Sequence, residues 1–191
     1  MRTFIAIELS SEIKESLAQA QSHLKYAGAD VKWVTPENIH LTLKFLGEIP
    51  EEKCENVKAA LDEIAKTTAS FELSIKDIGA FPNIEFPRVI WIGLDKGAKE
   101  STELAAKVDE ALSKLGFAKE TRPFAAHLTI GRIRSAKNKE ALKAKIESLD
   151  EPVSRGQGSE KISSVILFHS KLTPTGSIYT KLHEALLVGH T

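Results

Sequence analysis

The sequence predicts an α+β protein of two lobes related by a pseudo-twofold axis, each a largely antiparallel sheet with helices packed outside, and a cleft between them. Three observations predict it. Short apolar, strand-like runs are interleaved with amphipathic helical stretches along all 191 residues. The two halves repeat a similar succession of these elements. One four-residue pattern also occurs twice, as His40-Leu41-Thr42-Leu43 and as His127-Leu128-Thr129-Ile130, 87 residues apart. Self-similarity of this kind marks an internal duplication. No low-complexity tract or long linker separates independent units, so residues 1–191 are expected to form one domain, with lobes of roughly 1–95 and 96–191.

The elements follow in order. Thr3 to Leu9 is apolar enough for a buried strand. Ser10 or Ser11 suits the N-cap of the next helix, whose periodic positions include Ile13, Leu17 and Leu24. Val31 to Val34 is a short strand cut off by Pro36, and Asn38 to Leu46 carries the first motif. Pro50 and the glutamates after it open a second helix with Val57, Leu61 and Ile64 on one face. Phe71 to Ile78 alternates apolar with polar residues, as a half-buried strand does, and Arg88 to Leu94 is another strand. A helix over about Ala98 to Leu115, the second motif strand over about Ala125 to Arg134, and a short helix from about Lys137 to Leu149 repeat the earlier order. Gly156-Gln157-Gly158 breaks the chain, and Ile162 to Phe168 and Ser177 to Leu187 close it as strands. Strands arriving with helices and hairpin-like connections imply antiparallel sheets covered on the outside.

The motif itself suggests chemistry. Residues two apart on a strand share a face, so each copy projects an imidazole and a hydroxyl to one side and two aliphatic side chains to the other. Composition alone would give roughly 0.4 His-x-Thr triplets in a chain with this many histidines and threonines, so two copies with matching apolar residues point to a site rather than to chance. A histidine titrates near neutrality and can take or give a proton there. Opening a cyclic phosphate with water needs both actions, one imidazole taking the proton of the attacking water while the other protonates the departing oxygen on the far side of the phosphorus. His40 and His127 are therefore the candidate catalytic pair, with the Thr42 and Thr129 hydroxyls as donors to phosphate oxygens. Arg132 lies just past the second motif and offers a guanidinium for phosphoryl charge. At His127 plus five, strict alternation puts it on the wrong face, so it needs a bend at Gly131 to join the site. Phe45 and Tyr179 are candidates to stack on a base or reach the phosphate, against the plainer reading of core packing. Of the other histidines, His169 could line the cleft from a strand end, while His23, His183 and His190 read as structural or surface positions. Trp33, Phe81, Phe86 and Trp91 read mainly as core.

Composition narrows the classes. Lys+Arg and Asp+Glu number 26 each, so the net charge is zero and bulk nucleic-acid binding is not expected. The charge is uneven: residues 1–95 carry 10 basic and 15 acidic side chains, and the rest carry 16 and 11. A basic half suits an anionic ligand, though solvated helix faces would look the same. The single cysteine, Cys54, cannot form an intramolecular disulfide and has no histidine near it in sequence. A reduced, cytoplasmic setting fits. Met1 to Ser10 lacks the pattern of a signal peptide, and no apolar run is long enough for a membrane span.

The longer strings around the motifs resemble a known family. Arg2-Thr3-Phe4-Ile5-Ala6-Ile7, Trp33-Val34, Glu37-Asn38-Ile39-His40-Leu41-Thr42-Leu43-Lys44-Phe45-Leu46-Gly47, Gly79-Ala80-Phe81-Pro82, Pro87-Arg88-Val89-Ile90-Trp91, Arg122-Pro123-Phe124, His127-Leu128-Thr129-Ile130-Gly131-Arg132, Ser170-Lys171-Leu172 and Gly176-Ser177-Ile178-Tyr179 carry the resemblance. Nearly end to end, they are similar to the RNA 2′,3′-cyclic phosphodiesterases, also called 2′-5′ RNA ligases, of the two-histidine phosphoesterase superfamily. The resemblance implies hydrolysis of RNA 2′,3′-cyclic phosphate ends to 2′-phosphate ends without a metal or nucleotide cofactor. It also implies His40 as proton donor to the leaving 3′ oxygen, His127 as acceptor from water, and 2′-5′ ligation as the related transesterification. One departure is Ala125-Ala126, where the family often has a proline directly before the second histidine.

Three alternatives stay open. A related enzyme would act on a small cyclic phosphate nucleotide, and an RNA-end binding protein would hold the cyclic end without turning it over. A metal-dependent hydrolase would need at least one further ligand, and neither motif contains a carboxylate at ligand spacing. A monomer with no protein or membrane partner is expected, since no heptad or long apolar face is present.

Overall fold

The computed structural model describes residues 1–149 and 159–189. Strand β1 (Arg2–Ile7) is buried at every position after the first, so both of its faces are covered. Helix α1 (Ser11–Lys25) starts where the Ser10 hydroxyl accepts the Ile13 N–H at 3.3 Å, and it buries Ile13, Leu17 and Leu24. After β2 (Val31–Trp33), Pro36–Asn38 form a single 3-10 turn that leads to β3 (Leu41–Glu48). Helix α2 (Glu51–Lys66) follows Pro50 and buries Val57, Leu61 and Ile64, as its periodicity requires. Strands β4 (Phe71–Phe81) and β5 (Val89–Leu94), helix α3 (Ala98–Ser113), strand β6 (His127–Ile133) and helix α4 (Lys139–Glu147) come next. Strands β7 (Ser159–Ile162), β8 (Ser164–Thr173) and β9 (Gly176–Leu186) complete the described chain. The expected break at Gly156-Gln157-Gly158 lies outside the described residues.

All strand pairing within the two sheets is antiparallel. One sheet has the order β3-β1-β8-β9 and the other β2-β6-β5-β4-β7. The α+β class and two-sheet architecture are as predicted. The expected division of the lobes near residue 95 is corrected: each sheet takes strands from both halves of the sequence. The duplication is nevertheless plain in the element positions. β1 begins at residue 2 and β5 at 89, α1 at 11 and α3 at 98, and the motif histidines stand at 40 and 127, a constant offset of 87. The repeats interleave because β4, from the first, pairs with β5, while β8, from the second, pairs with β1. Each repeat thus completes the other's sheet, a non-local pairing that hydrophobic periodicity does not encode.

The buried faces of helices α1, α2, α3 and α4 meet one face of both sheets in a continuous core that includes Ile5, Ile7, Leu41, Leu43, Ile90, Ile92, Leu128, Ile130, Val165 and Leu167. The other face of the first sheet carries a small separate cluster of Phe4, Ala6, Ile166 and Phe168, with Tyr179 packed against it. Helices therefore cover one side of each sheet, and the motif histidines stand on the other. Among the described residues, no helix is long and apolar enough to cross a membrane.

Candidate active site

Both motifs lie at the same point of their repeats. His40 immediately precedes β3, and His127 opens β6. These two strands, one from each sheet, touch each other, so the strands that carry the motifs meet at the junction of the sheets. In each motif the imidazole folds back on the main chain two residues earlier. His40 Nδ1 lies 3.0 Å from the Asn38 carbonyl oxygen, and His127 Nδ1 lies 2.6 Å from that of Ala125. A carbonyl only accepts, so each Nδ1 carries the proton and donates it. In the neutral ring, Nε2 then presents its lone pair. The same tautomer is fixed twice by the same local device. Ala126, where the resembled family often has proline, does not disturb it, because His127 Nδ1 donates to the Ala125 carbonyl one residue earlier.

The surroundings of the two rings differ. His40 is nine-tenths buried in an aromatic nest. Its ring centroid is 4.7 Å from that of Phe168, 5.5 Å from Tyr179 and 6.1 Å from Phe4. Burial pushes its imidazole down to about 4, and the Lys14 ammonium acts in the same direction. His127 is half-buried, with Phe81 edge-on at 5.0 Å. The threonines share these faces. Thr42 pairs with Ala6 of the small apolar cluster, and Thr129 pairs with Trp91, whose ring is 5.3 Å from Phe81.

Arg132 reaches the His127 face by a β-bulge. Along β6, Trp91 of β5 pairs with Thr129 and Ile90 pairs with Gly131, so Ile130 is an extra residue with no partner. Both Ile130 and Gly131 are buried, and Arg132 then pairs with Val89. Val89 also pairs with Phe81, which meets the His127 ring edge-on. The required bend therefore exists, one residue earlier than expected. β3 does the same. Leu43 is the extra residue between the pairs Thr42–Ala6 and Lys44–Ile5, Leu43 and Lys44 are both buried, and Phe45 emerges opposite Phe4. Phe45 is 67% exposed, with its centroid 6.0 Å from that of Phe4, and Tyr179 meets Phe4 edge-on at 4.9 Å. His40, Thr42, Phe45 and Tyr179 thus share one wall, and His127, Thr129 and Arg132 share the other.

Four aromatics of the site were missed or read as core. Phe4 and Phe168 line His40, and Phe81 and Trp91 floor the second motif. His169 pairs with Thr3 on the opposite face from Phe4 and does not join the site. His183 Nε2 is 2.7 Å from Asp62 Oδ1, a structural contact. Cys54 is a buried free thiol of α2, held above its usual range by burial, and His190 lies outside the described residues. Among the described residues, no three or more His, Cys, Asp or Glu side chains converge as a metal would require.

Comparison with known proteins agrees with the duplication. The profile of the family described as LigT like phosphoesterase matches the chain twice, over residues 7–91 and 92–179. A Methanocaldococcus jannaschii protein named RNA 2′,3′-cyclic phosphodiesterase is 40% identical over 184 residues, which cover 96% of this chain and 99% of that one. An Archaeoglobus fulgidus protein of the same name is 40% identical over 182 residues, covering 95% and 98%. Among solved structures, TT0787 of Thermus thermophilus superposes with a TM-score of 0.79 at 26% identity over the whole of both chains. The apo form of LigT from E. coli superposes with a TM-score of 0.75 at 26% identity, covering 97% and 96%.

Proposed function

The chain belongs to the LigT-like phosphoesterase family, and from that premise we propose that it hydrolyses the 2′,3′-cyclic phosphate ends of RNA to 2′-phosphate ends by acid–base catalysis between His40 and His127. The observation that carries the reading is the repeated tautomer lock, Nδ1 tied to the carbonyl two residues back at both motifs, with Nε2 left for the substrate. The names of the full-length relatives agree with the reaction class.

His127 takes the proton of a water molecule as that water attacks phosphorus. His40 gives a proton to the departing 3′ oxygen on the opposite side, and the 2′ oxygen keeps the phosphate. At rest, burial holds His40 neutral at pH 7. The negative charge of the arriving phosphate raises its proton affinity, so His40 becomes a competent acid when substrate is bound. The Thr42 and Thr129 hydroxyls donate to the non-bridging oxygens and hold phosphorus in line. Arg132 supplies a guanidinium to the phosphate oxygens, and Phe45 and Tyr179 supply aromatic surface for the base. Replacing water by a ribose 5′ hydroxyl gives 2′-5′ ligation through the same two imidazoles, with hydrolysis dominant in water. The enzyme works as a cytoplasmic monomer with no metal or nucleotide cofactor.

The test is a short RNA ending in a 2′,3′-cyclic phosphate, incubated with protein in excess EDTA and followed by phosphorus NMR, with His40→Ala as control. A 2′-phosphate made by the wild type and not by the variant is the expected result. An untouched cyclic end, with turnover only of an isolated cyclic nucleotide, would move the substrate to small molecules. Activity lost to EDTA and restored by zinc or manganese would replace the mechanism.

A further inference from the structure

We propose that Lys32, acting beside Arg132, binds the phosphodiester one nucleotide upstream of the cyclic end, which makes this a site for a polynucleotide rather than a mononucleotide. The inference rests on the reading of the two-histidine site as a cyclic phosphate site.

The register of the second sheet places Lys32 there. Lys32 of β2 pairs with Arg132 of β6, Arg132 pairs with Val89 of β5, and Val89 pairs with Phe81 of β4. Residues opposite one another in antiparallel strands share a face. Phe81 contacts the His127 ring, so the whole row lies on the catalytic face. The flanking residues of β2 confirm the orientation. Val31 and Trp33 pack into the core over Gly131, where an added Cβ would lie 2.8 Å from Val31 Cγ1 and 3.1 Å from the Trp33 ring.

Both Lys32 and Arg132 are exposed. Neither takes part in any of the ion pairs that engage Lys44, Lys58, Lys96, Lys119 and Lys181 elsewhere in the described chain. Two like charges directly opposite on neighbouring strands oppose folding, and among the described residues no carboxylate pairs with either. A local conflict of this sort is what a binding site keeps for an anionic ligand.

The position at the sheet edge favours the neighbouring phosphate. At ~3.3 Å per residue, and with the bulged Ile130 adding no ladder step, Arg132 stands about 13 Å along the strand from His127, and Lys32 lies beside it, one strand spacing of about 4.8 Å toward the sheet edge. β2 is the edge strand of its sheet. Arg132 can turn inward to the reacting phosphate. A chain leaving the reacting phosphate past Arg132 crosses this edge, so Lys32 is placed to take the next phosphodiester.

The experiment compares kcat/KM for cytidine 2′,3′-cyclic phosphate, which has no neighbouring phosphodiester, with that for a trinucleotide ending in the same cyclic phosphate, in wild type and Lys32→Gln. Loss of one phosphate contact is expected to lower the trinucleotide-to-mononucleotide ratio about tenfold, chiefly through KM, and to make the salt dependence for the trinucleotide shallower by about 0.7 in log–log slope. An unchanged ratio, or equal losses on both substrates, would overturn the subsite. The reading of the reaction fails separately. If wild type turns over neither substrate, binding of a fluorescent trinucleotide ending in a 2′-phosphate still reports on Lys32. Weaker binding with a shallower salt slope in Lys32→Gln keeps the subsite, and unchanged binding removes it.

Discussion

Phe45 and Arg132 occupy equivalent positions in the two repeats, each five residues past its motif histidine and each turned onto the histidine's face by one unpaired residue, Leu43 or Ile130. Without those bulges, strict alternation would send both side chains into the core. The duplication thus preserved a backbone device while its two copies diverged in chemistry, one to an aromatic ring and the other to a cation. This division suits a nucleotide, which offers a flat base and an anionic phosphate.

Phe45→Ala follows from that division. The side chain is mostly exposed, so its removal should change stability by less than about 1 kcal/mol. A base stacked on an aromatic side chain contributes about 1–3 kcal/mol, so KM for the RNA end should rise by about tenfold while kcat changes little. Phe45→Trp should retain wild-type KM. At the equivalent position, Arg132→Lys should not restore what Arg132→Ala loses, because an ammonium cannot reproduce the planar guanidinium fork. Steady-state kinetics of the four variants checks both statements, and an unchanged KM in Phe45→Ala would remove the stacking role.

His40 makes stability depend on pH. Its imidazole is held at about 4 in the folded protein against an ordinary value of 6.5. The unfolded chain therefore binds the proton more readily between these values, and stability falls as pH drops from 6.5 through 4. Above pH 6.5 the contribution is fully present. Its size is on the order of 3 kcal/mol. Urea unfolding at pH 4 and pH 7 should show a larger acid loss in wild type than in His40→Ala, with the difference confined to this window. Parallel pH profiles for the two proteins would show that His40 is not held neutral by its aromatic nest.

The motif histidines, the alternation of strands with helices and the repeat were legible in sequence because each leaves a periodic or recurrent signal. What lined the histidines was not. β1 and β8 are buried on both faces, so site-facing Phe4 and Phe168 look the same in sequence as core-facing Ile5 and Leu167. β4 extends to Phe81 rather than ending near Ile78, because the register slips between Lys76 and Ile78, with Asp77 at φ +63°, and breaks the alternation that a reader follows. The side assigned to Arg132 turned on a bulge, and a bulge has no residue signature when the unpaired residue is an isoleucine.

Gly131→Ala tests the bulge through packing. The new Cβ would meet Val31 Cγ1 and the Trp33 ring at 2.8 and 3.1 Å, and both side chains are stiff, so the Ala variant is expected to push β2 outward. Overpacking of this kind costs about 1–3 kcal/mol, readable as a lower urea midpoint at unchanged m-value. Displacing β2 also displaces Lys32, so salt sensitivity of RNA turnover should fall with stability. An equally stable Gly131→Ala would show that β2 rides loosely on β6.

The first bulge has a second consequence, at Lys44. With Leu43 unpaired, Lys44 turns to the buried face and its ammonium is almost fully enclosed. It is held 2.6 Å from Asp109 Oδ1 on α3, 2.9 Å from the Ala118 carbonyl oxygen and 3.3 Å from Glu120 Oε1. These partners lie on α3 and on the segment that leads into the second motif, so Lys44 ties the strand of His40 to the approach to His127. Lys44→Ala removes the enclosed member, while the Asp109 carboxylate left behind is one-fifth exposed and can be hydrated, so the cost should be about 1–3 kcal/mol. Replacing both charges by apolar groups of similar size, in Lys44→Met with Asp109→Leu, should recover most of that stability, since a buried pair contributes little net once desolvation is counted. If the link only stabilises, the double variant regains wild-type kcat as well. If it also positions the second motif, stability returns while kcat stays low, since Ala118 and the Glu120 carboxylate remain without their donor. Urea midpoints and kcat measured on the same preparations separate the two outcomes.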